Sequence, residues 1–212
     1  MRDFYEHYWR DGRRYADPLS TKRRELVWEL AGGYLPAPAR VLEIGCGEGE
    51  TVGDAVARGH ETMGVDIATA AVERARDRNP GATFVTFPAD ELPWPIADGT
   101  YDLVVALEVI EHLFWPRNLL DGACSALNPG GVLVLSTPYH GRLKNAAISL
   151  LAFERHFSPD GEHVRFLTDD WLDRALRKAG FAPYAIRHLG RGPWFWANTM
   201  VAARKANRDP RR

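Results

Sequence analysis

The 212-residue chain has few cysteines and no long apolar run. Its two cysteines, Cys46 and Cys124, form no Cys-x-x-Cys pair, and two thiols cannot build a disulfide framework. No apolar stretch approaches the ~18 residues that a membrane-spanning helix needs. The N-terminus "MRDFYEHYWR" also lacks the apolar centre of a signal peptide. We therefore expect no membrane span and a cytoplasmic protein in a reducing compartment.

An excess of charge of one sign is missing as well. The chain carries 27 Lys and Arg against 28 Asp and Glu, a formal net charge of −1. Such a balance creates no field that would attract nucleic acid or an anionic membrane, and we expect neither partner. The local exception is the basic end "ARKANRDPRR", where residues 204–212 are predicted to form a flexible tail. The oligomeric state stays open.

Short apolar runs alternate with helical segments along most of the chain. Residues 1–35 are predicted to form an N-terminal helical cap, and residues 36–203 form the main domain. Five runs in this domain predict buried strands: "RVLEIG", "ETMGVDI", "ATFVTF", "TYDLVVAL" and "GVLVLSTP". Two more strands are expected near the end. This order predicts an α/β fold with a doubly wound, mostly parallel seven-stranded sheet.

Residues 138–167 interrupt this alternation. They contain one short apolar helix, followed by a polar and aromatic stretch with glycine and proline. At about 30 residues the segment is longer than an ordinary connection, and such segments often serve as lids or binding loops. We therefore predict a lid or acceptor-binding insertion here.

A glycine-rich loop, "VLEIGCGEG", follows the first strand. Gly45 and Gly47 allow a tight turn and the close approach of a ligand to the backbone, although a plain strand-to-helix turn would look the same. The spacing Gly-x-Gly-x-Gly differs from that of dinucleotide-binding loops. The acids Glu43, Glu48 and Glu50 surround the loop and would repel a pyrophosphate. The pattern favours a ligand with a cationic or zwitterionic part.

Asp66 ends the second predicted strand, 19 residues after Gly47. An acid at this position accepts hydrogen bonds from ribose hydroxyls. The alternative is a cap for the helix that follows, and the two roles lie close together in space.

Together these segments resemble the class I S-adenosylmethionine-dependent methyltransferases. The resemblance covers about residues 38–182 and rests on "VLEIGCGEG", "GVDI", "ADELPWPIADGTYDLVVALEVIEH", "LNPGGVLVLSTP" and "EHVRFLTDDWLDRALRKAGF". It implies a Rossmann-like methyltransferase fold, S-adenosyl-L-methionine as the cofactor, and methyl transfer as the activity. The implied cofactor-binding residues are Glu43, Gly45, Gly47, Asp66, Ile67, Ala89, Asp90 and Leu107.

The resemblance also suggests what these residues do. Gly45 and Gly47 would contact the methionine part of the cofactor, Glu43 would anchor the loop or the amino group, and Leu107 would face that part through its carbonyl. Asp66 would bind the ribose, and Ile67 would pack on the adenine.

Ala89 and Asp90 would lie at the adenine edge. Pro88 stands where relatives often carry an aspartate that accepts a hydrogen bond from the adenine amine. The proline side chain cannot accept one, so Asp90 or a water takes this role.

The segment "EVIEH" follows the fourth strand. If a helical turn starts at Glu108, then Glu108, Glu111 and His112 share one face and can bind a divalent cation. Ubiquinone-biosynthesis O-methyltransferases carry a Glu-x-x-Glu-His segment here with an assigned magnesium site, so the resemblance implies Mg²⁺ on these residues. Other family members need no metal, and in them the histidine acts as a base, lines the acceptor pocket or supports the loop. These alternatives stay open.

Two further catalytic candidates are Tyr139, directly after the fifth strand, and His163 in the insertion. Either can instead be an ordinary loop hydrogen-bonding group. The N-terminal aromatic residues Phe4, Tyr5, Tyr8, Trp9 and Tyr15 form a cap over the cofactor or pack among the helices; the sequence does not decide.

The leading functional hypothesis is methyl transfer to a small-molecule acceptor, to an oxygen on a quinone-, lipid- or natural-product-type substrate. The aromatic-rich insertion favours an apolar acceptor. Nucleic acid is disfavoured, because "EVIEH" replaces the Asn/Asp-Pro-Pro-Tyr type of motif that serves base-flipping relatives. The alternatives are N- or C-methylation of a small molecule, or S-adenosylmethionine binding without catalysis.

Overall fold

The computed structural model describes residues 1–11, 17–153, 164–192 and 195–206. The strands are β1 (Arg40–Ile44), β2 (Glu61–Asp66), β3 (Thr83–Thr86), β4 (Tyr101–Leu107), β5 (Leu127–Pro138), β6 (Phe181–Gly190) and β7 (Trp196–Lys205). The helices are α1 (Arg2–Arg10), α2 (Ser20–Ala31), α3 (Glu50–Ala57), α4 (Thr69–Arg78), α5 (Pro116–Ala126), α6 (Arg142–Leu151) and α7 (Asp169–Lys178).

The strands form one sheet in the order β3-β2-β1-β4-β5-β7-β6. Strands β1 to β5 pair in parallel, whereas β7 runs antiparallel to both β5 and β6. The inner strands are apolar along their whole length because helices cover both faces of the sheet. The predicted doubly wound, mostly parallel seven-stranded fold is confirmed.

The buried apolar residues of the described chain form three clusters, and alternating strand residues place the two largest on opposite faces of the sheet. On one face, Leu119 of α5 and Leu172 of α7 pack with Leu42 and Val104. On the other face, α2 contributes a buried stripe that includes Leu26 and packs against the sheet. The predicted cap over residues 1–35 is therefore split, because α2 belongs to a core layer and only α1 lies at the sheet edge.

The first residues of the predicted flexible tail, 204–212, belong to strand β7 instead. Strand β7 continues to Lys205 because its backbone pairs with β6 over this length. Arg204 Nε donates to the Gly130 carbonyl at 3.2 Å, and Lys205 Nζ donates to the Leu127 carbonyl at 2.7 Å. Residues 207–212 lie outside the described part.

The predicted insertion over residues 138–167 contains α6, which has no buried residue. Its leucines Leu150 and Leu151 are 84% and 86% exposed. After residues 154–163, which are not described, the backbone N–H groups of Val164 and Arg165 donate to the Glu111 carbonyl. The end of the insertion is thus attached to the "EVIEH" segment. Among the described helices, none has the length and apolarity that crossing a bilayer requires.

Gly122 in α5 offers a test of the core packing. An added Cβ would lie 2.4 Å from Cε2 of Trp94, whose indole N–H is held by the Ala89 carbonyl at 3.0 Å. We expect Gly122→Ala to lower the free energy of unfolding by about 1–3 kcal/mol through overpacking, despite the roughly 1 kcal/mol by which alanine is favoured over glycine in helices. Urea denaturation measures this. Gly33→Ala is the control, since no heavy atom lies within 4 Å of its added Cβ, and equal losses in the two variants would contradict the packing.

Candidate active site

A cavity of about 700 Å³ lies at the carboxyl edge of the sheet. Its walls come from the loop after β1, the end of β2, residues 87–91 after β3, the segment after β4, and α1. The strand order reverses between β1 and β4, and in open α/β sheets ligands bind where this reversal occurs. The cavity therefore lies where the fold leaves a site for a ligand.

The glycine-rich loop faces this cavity with its backbone. Gly45 has φ +71° and Gly47 has φ +51°, a region in which other residues are strained. A Cβ on Gly45 would lie 2.3 Å from Cγ2 of Val109, and one on Gly47 would lie 3.1 Å from Cζ2 of Trp9. These glycines are required both by backbone conformation and by the close approach of neighbouring walls.

Asp66 lines the cavity and holds the glycine loop. One carboxylate oxygen accepts the Gly47 N–H at 3.0 Å, and the other accepts the Ala68 N–H at 2.9 Å. Burial raises the pKa of this carboxyl, although the backbone donors oppose the shift. Ala68 rather than Asp66 stands at the cap position of α4, and Asp66 lies at the cavity wall. Its role as a ribose ligand stays a prediction.

Glu43 and Leu107 do not belong to the wall of the cavity. Glu43 is 4% exposed and its Oε2 accepts the Val52 N–H at the start of α3 at 3.1 Å. Burial raises its pKa to about 8. Its geometry matches the loop-anchoring alternative. The Leu107 side chain packs beside the α2 core, because the alternation along β4 turns it away, and Glu108 reaches the cavity. The role predicted for the Leu107 carbonyl stays a prediction.

Ile67, Ala89 and Asp90 line the cavity, together with Pro88. The Asp90 carboxylate accepts the Phe114 N–H at 3.1 Å and the Trp115 N–H at 3.3 Å. It therefore fastens the aromatic segment after β4 to the loop after β3. Asp90 is the candidate partner of the adenine amine, and one of its two carboxylate oxygens is already used for this connection.

Helix α1 covers the cavity. Tyr5 and Trp9 line it, whereas Tyr15 lies outside the described residues. The helix is held by Glu6, whose Oε2 accepts the Thr69 N–H at 2.7 Å and the Ala70 N–H at 3.4 Å. These are donors of the first turn of α4, which has no side-chain cap of its own. Of the two alternatives for the N-terminal aromatic residues, a cap or helix packing, the positions of Tyr5 and Trp9 at the cavity favour the cap.

The "EVIEH" segment does not form the helical turn on which the metal hypothesis depends. Glu108 has φ +54°, and only Ile110–His112 form a short 3-10 helix. Both carboxylate oxygens of Glu108 accept hydrogen bonds, from Ser136 Oγ at 2.6 Å and Asn198 Nδ2 at 2.6 Å. Glu111 is 1% exposed, and burial followed by the nearby Glu108 charge raises its pKa well above the usual range.

Glu111 and His112 remain neighbours, with Glu111 Oε1 3.9 Å from His112 Nε2, whereas both oxygens of Glu108 are taken up by Ser136 and Asn198. Within the described ranges, no three His, Cys, Asp or Glu side chains gather where they could hold a metal ion. The residues present do not fit Mg²⁺, and the structure gives the magnesium hypothesis for Glu108, Glu111 and His112 no support. The physical reason is the left-handed backbone at Glu108, which breaks the helical spacing.

His112 lines the cavity with its side chain 14% exposed. Its ring meets the Tyr5 ring edge to face, with the centroids 5.8 Å apart. Tyr139 does not line the cavity; its ring packs against His188 at 5.0 Å, because β5 has already passed the cavity edge there. His163 lies outside the described residues.

Two polar residues near the site had not been predicted. Arg23 is 5% exposed, and its Nη1 donates to Asn198 Oδ1 at 3.0 Å. Asn198 in turn contacts Glu108. In the sequence, only helical spacing sets Arg23 apart from the adjacent Arg24, and Asn198 lies in a segment that predicts only a strand. A charged residue at the register of the buried Val27 and Leu30 was the available hint.

Comparisons with known proteins agree with this arrangement. A family model described as a methyltransferase domain matches residues 8–186, and the chain belongs to this family. A ubiquinone biosynthesis O-methyltransferase of Burkholderia pseudomallei is 28% identical over 88% of this chain and 83% of its own length. A Mycobacterium tuberculosis protein whose name describes an S-adenosylmethionine-dependent methyltransferase is 32% identical over 81% of this chain and 59% of its own length.

Among solved structures, an S-adenosylmethionine-dependent methyltransferase from Mesorhizobium loti has a similar fold. The TM-score is 0.66 at 21% identity, over 84% of this chain and 96% of that one. With the family match, these findings identify an S-adenosylmethionine-dependent methyltransferase, as the sequence predicts. The glycine cradle, the buried Asp66 carboxylate and the cavity fit this cofactor.

Asp66→Ala tests the cofactor site. The change removes the carboxylate from the cavity wall and leaves the Gly47 and Ala68 N–H groups without their acceptor. We expect the affinity for S-adenosylhomocysteine to fall at least about tenfold, measured by isothermal titration calorimetry. Asp77→Ala, an exposed change on α4, is the control and keeps the affinity. Wild-type affinity in Asp66→Ala would refute the assignment.

Glu6→Ala tests the attachment of α1. Loss of a helix cap costs about 1 kcal/mol, so the closed position of α1 becomes less populated. We expect cofactor affinity to fall roughly three- to tenfold, and hydrogen exchange in residues 2–10 to accelerate. Asp3→Asn, which alters the charge of the same helix without touching the Glu6 contact, is the control. Unchanged exchange and affinity in Glu6→Ala would show that α1 is held by other contacts.

Proposed function

We propose that the enzyme methylates an oxygen of a small, partly apolar acceptor of the quinone, phenolic lipid or natural-product type. The observation that carries this proposal is that His112 shares one cavity with Asp66 and the glycine loop. A cavity of this size, in which convergent polar side chains stand among aliphatic and aromatic walls, is typical of sites for small molecules.

On the cofactor side, the residues proposed to hold S-adenosylmethionine are Gly45, Gly47, Asp66, Ile67 and Ala89. The bound cofactor supplies a methyl group activated by a sulfonium. Asp66 accepts hydrogen bonds from the ribose, and the two glycines let the methionine part lie against the backbone. Glu43 acts indirectly by holding the start of α3 beneath the loop.

On the acceptor side, His112 removes the proton that an acceptor hydroxyl must lose. Tyr5 packs against its ring and limits the rotation of the imidazole. Phe114 and Trp115 line the cavity and are 51% and 68% exposed, so they offer flat apolar surfaces at its entrance. The insertion over residues 138–167 is proposed as a lid whose end is attached to Glu111.

The choice of oxygen has two supports. A base in the cavity is needed for an oxygen acceptor, whose proton must leave as the methyl group arrives. The Burkholderia relatives are named as O-methyltransferases. Amine and carbon acceptors are the alternatives, and an acceptor panel separates the three.

The decisive experiment uses acceptor panels of catechols and hydroxyquinones, of primary amines, and of activated carbon acids. We expect turnover with the oxygen acceptors. His112→Gln keeps the size of the side chain but removes the base, so kcat should fall about 10²–10⁴-fold, with cofactor affinity unchanged by calorimetry. His7→Gln on the exposed face of α1 is the control and keeps full activity.

Two results would contradict the proposal. Turnover only with amines or carbon acids would move the reaction to another atom. An unchanged kcat in His112→Gln with an oxygen acceptor would remove His112 from proton transfer.

A further inference from the structure

Behind the cavity lies a buried polar chain that crosses three parts of the fold. It runs from Asp17 before α2 to Arg23 in α2, then to Asn198 in β7, and ends at Glu108 after β4. Arg23 and Asn198 are 5% and 6% exposed. A charged side chain is expensive to bury, and Arg23 offsets this cost through its contacts with Asp17 and Asn198.

The direction of the hydrogen bonds in this chain is determined by its two ends. The Arg23 guanidinium can only donate, and both oxygens of the Glu108 carboxyl group accept. Asn198 has an amide with one accepting and one donating end, so it connects the two at 3.0 Å and 2.6 Å. An aspartate or a leucine at this position could not make both contacts.

The position of Glu108 explains why such a connection matters. Its left-handed backbone directs the residue into the cavity wall directly after β4. Its N–H donates to the carbonyl and hydroxyl oxygens of Ser136 at 3.2 Å and 3.0 Å. The carboxyl group is thus held from two sides, and the segment that follows it carries His112.

We propose that Arg23 is a positioning residue for methyl transfer, which acts through Asn198 to hold the Glu108 carboxyl group at the cavity wall. In this arrangement the guanidinium supplies positive charge near Glu108 through the Asn198 link, where the described residues form no cluster that could hold a divalent cation. The enzyme accordingly works without a bound divalent cation.

The inference rests on methyltransferase activity but not on the acceptor atom. The two proposals can fail independently, because His112→Gln tests proton removal, whereas variants of Arg23 and Asn198 leave His112 in place. The calorimetric part of its metal experiment needs no turnover, since it measures ion binding directly.

The metal arm titrates Mn²⁺, a probe for oxygen-rich Mg²⁺ sites, into the wild-type protein with S-adenosylhomocysteine bound. We expect no stoichiometric binding by calorimetry, and no change in turnover on treatment with EDTA or addition of Mg²⁺. One Mn²⁺ per chain that Glu108→Gln abolishes, or turnover that EDTA removes and Mg²⁺ restores, would overturn the inference.

The positioning arm compares Arg23→Ala and Asn198→Ala with Arg24→Ala. Arg24 is the matched control because it lies next in α2 but contacts Asp54 and Glu50 of α3 instead. We expect kcat to fall about tenfold or more in the first two variants, as when one partner of a buried polar pair is lost, with cofactor affinity within about threefold. Arg24→Ala should keep the wild-type kcat.

Two further measurements distinguish positioning from loss of folding. Guanidinium at millimolar concentration should restore part of the kcat in Arg23→Ala but not in Asn198→Ala, where the link itself is missing. The double variant should lose little more than either single variant, because both changes break one chain. Wild-type kcat in folded Asn198→Ala, or full additivity in the double variant, would overturn the proposal. If Arg23→Ala does not fold, Asn198→Ala decides alone, because it leaves the Arg23–Asp17 pair intact.

Discussion

The turn at Glu108 is the constraint on which the site depends. Three strands meet there, since the residue follows β4 and bonds to Ser136 of β5 and Asn198 of β7. Its left-handed conformation redirects the chain, so that Val109 packs against Gly45 and His112 enters the cavity. Beyond the turn, the Glu111 carbonyl accepts hydrogen bonds from the N–H groups of Val164 and Arg165, at the end of the insertion.

The cavity has a cofactor side and an acceptor side, and the turn at Glu108 leads into the segment that forms the acceptor side. The loop after β1 and the end of β2 bring Gly47 and Asp66 together on the cofactor side. The segment after β4 brings His112 to the other side. Helix α1 closes over both, because Glu6 caps α4 while Tyr5 reaches His112 and Trp9 reaches Gly47. One short helix thus contacts the groups proposed for cofactor binding and for proton removal.

Most of the fold could be predicted because its pattern is local. Buried parallel strands need continuous apolar runs, and helices between them need one apolar face, so β1 to β5 and α3 to α5 were visible in the sequence. The glycines at 45 and 47 and the acid at 66 also follow from local needs, namely a tight turn and a polar group at a strand end. Their positions in the cavity agree with the resemblance.

The remaining features depend on contacts between distant segments. The sequence by itself determined the order of strands and helices along the chain, the methyltransferase family, and the glycine loop and Asp66 as parts of the predicted cofactor site. Only the tertiary structure decided that the Glu108 carboxylate bonds to Ser136 and Asn198, that Tyr139 lies outside the cavity, and that α1 rather than the described part of the insertion covers it. The physical reason is that these placements depend on contacts between segments far apart in the chain, such as the Asn198–Glu108 hydrogen bond across 90 residues, which local periodicity does not specify.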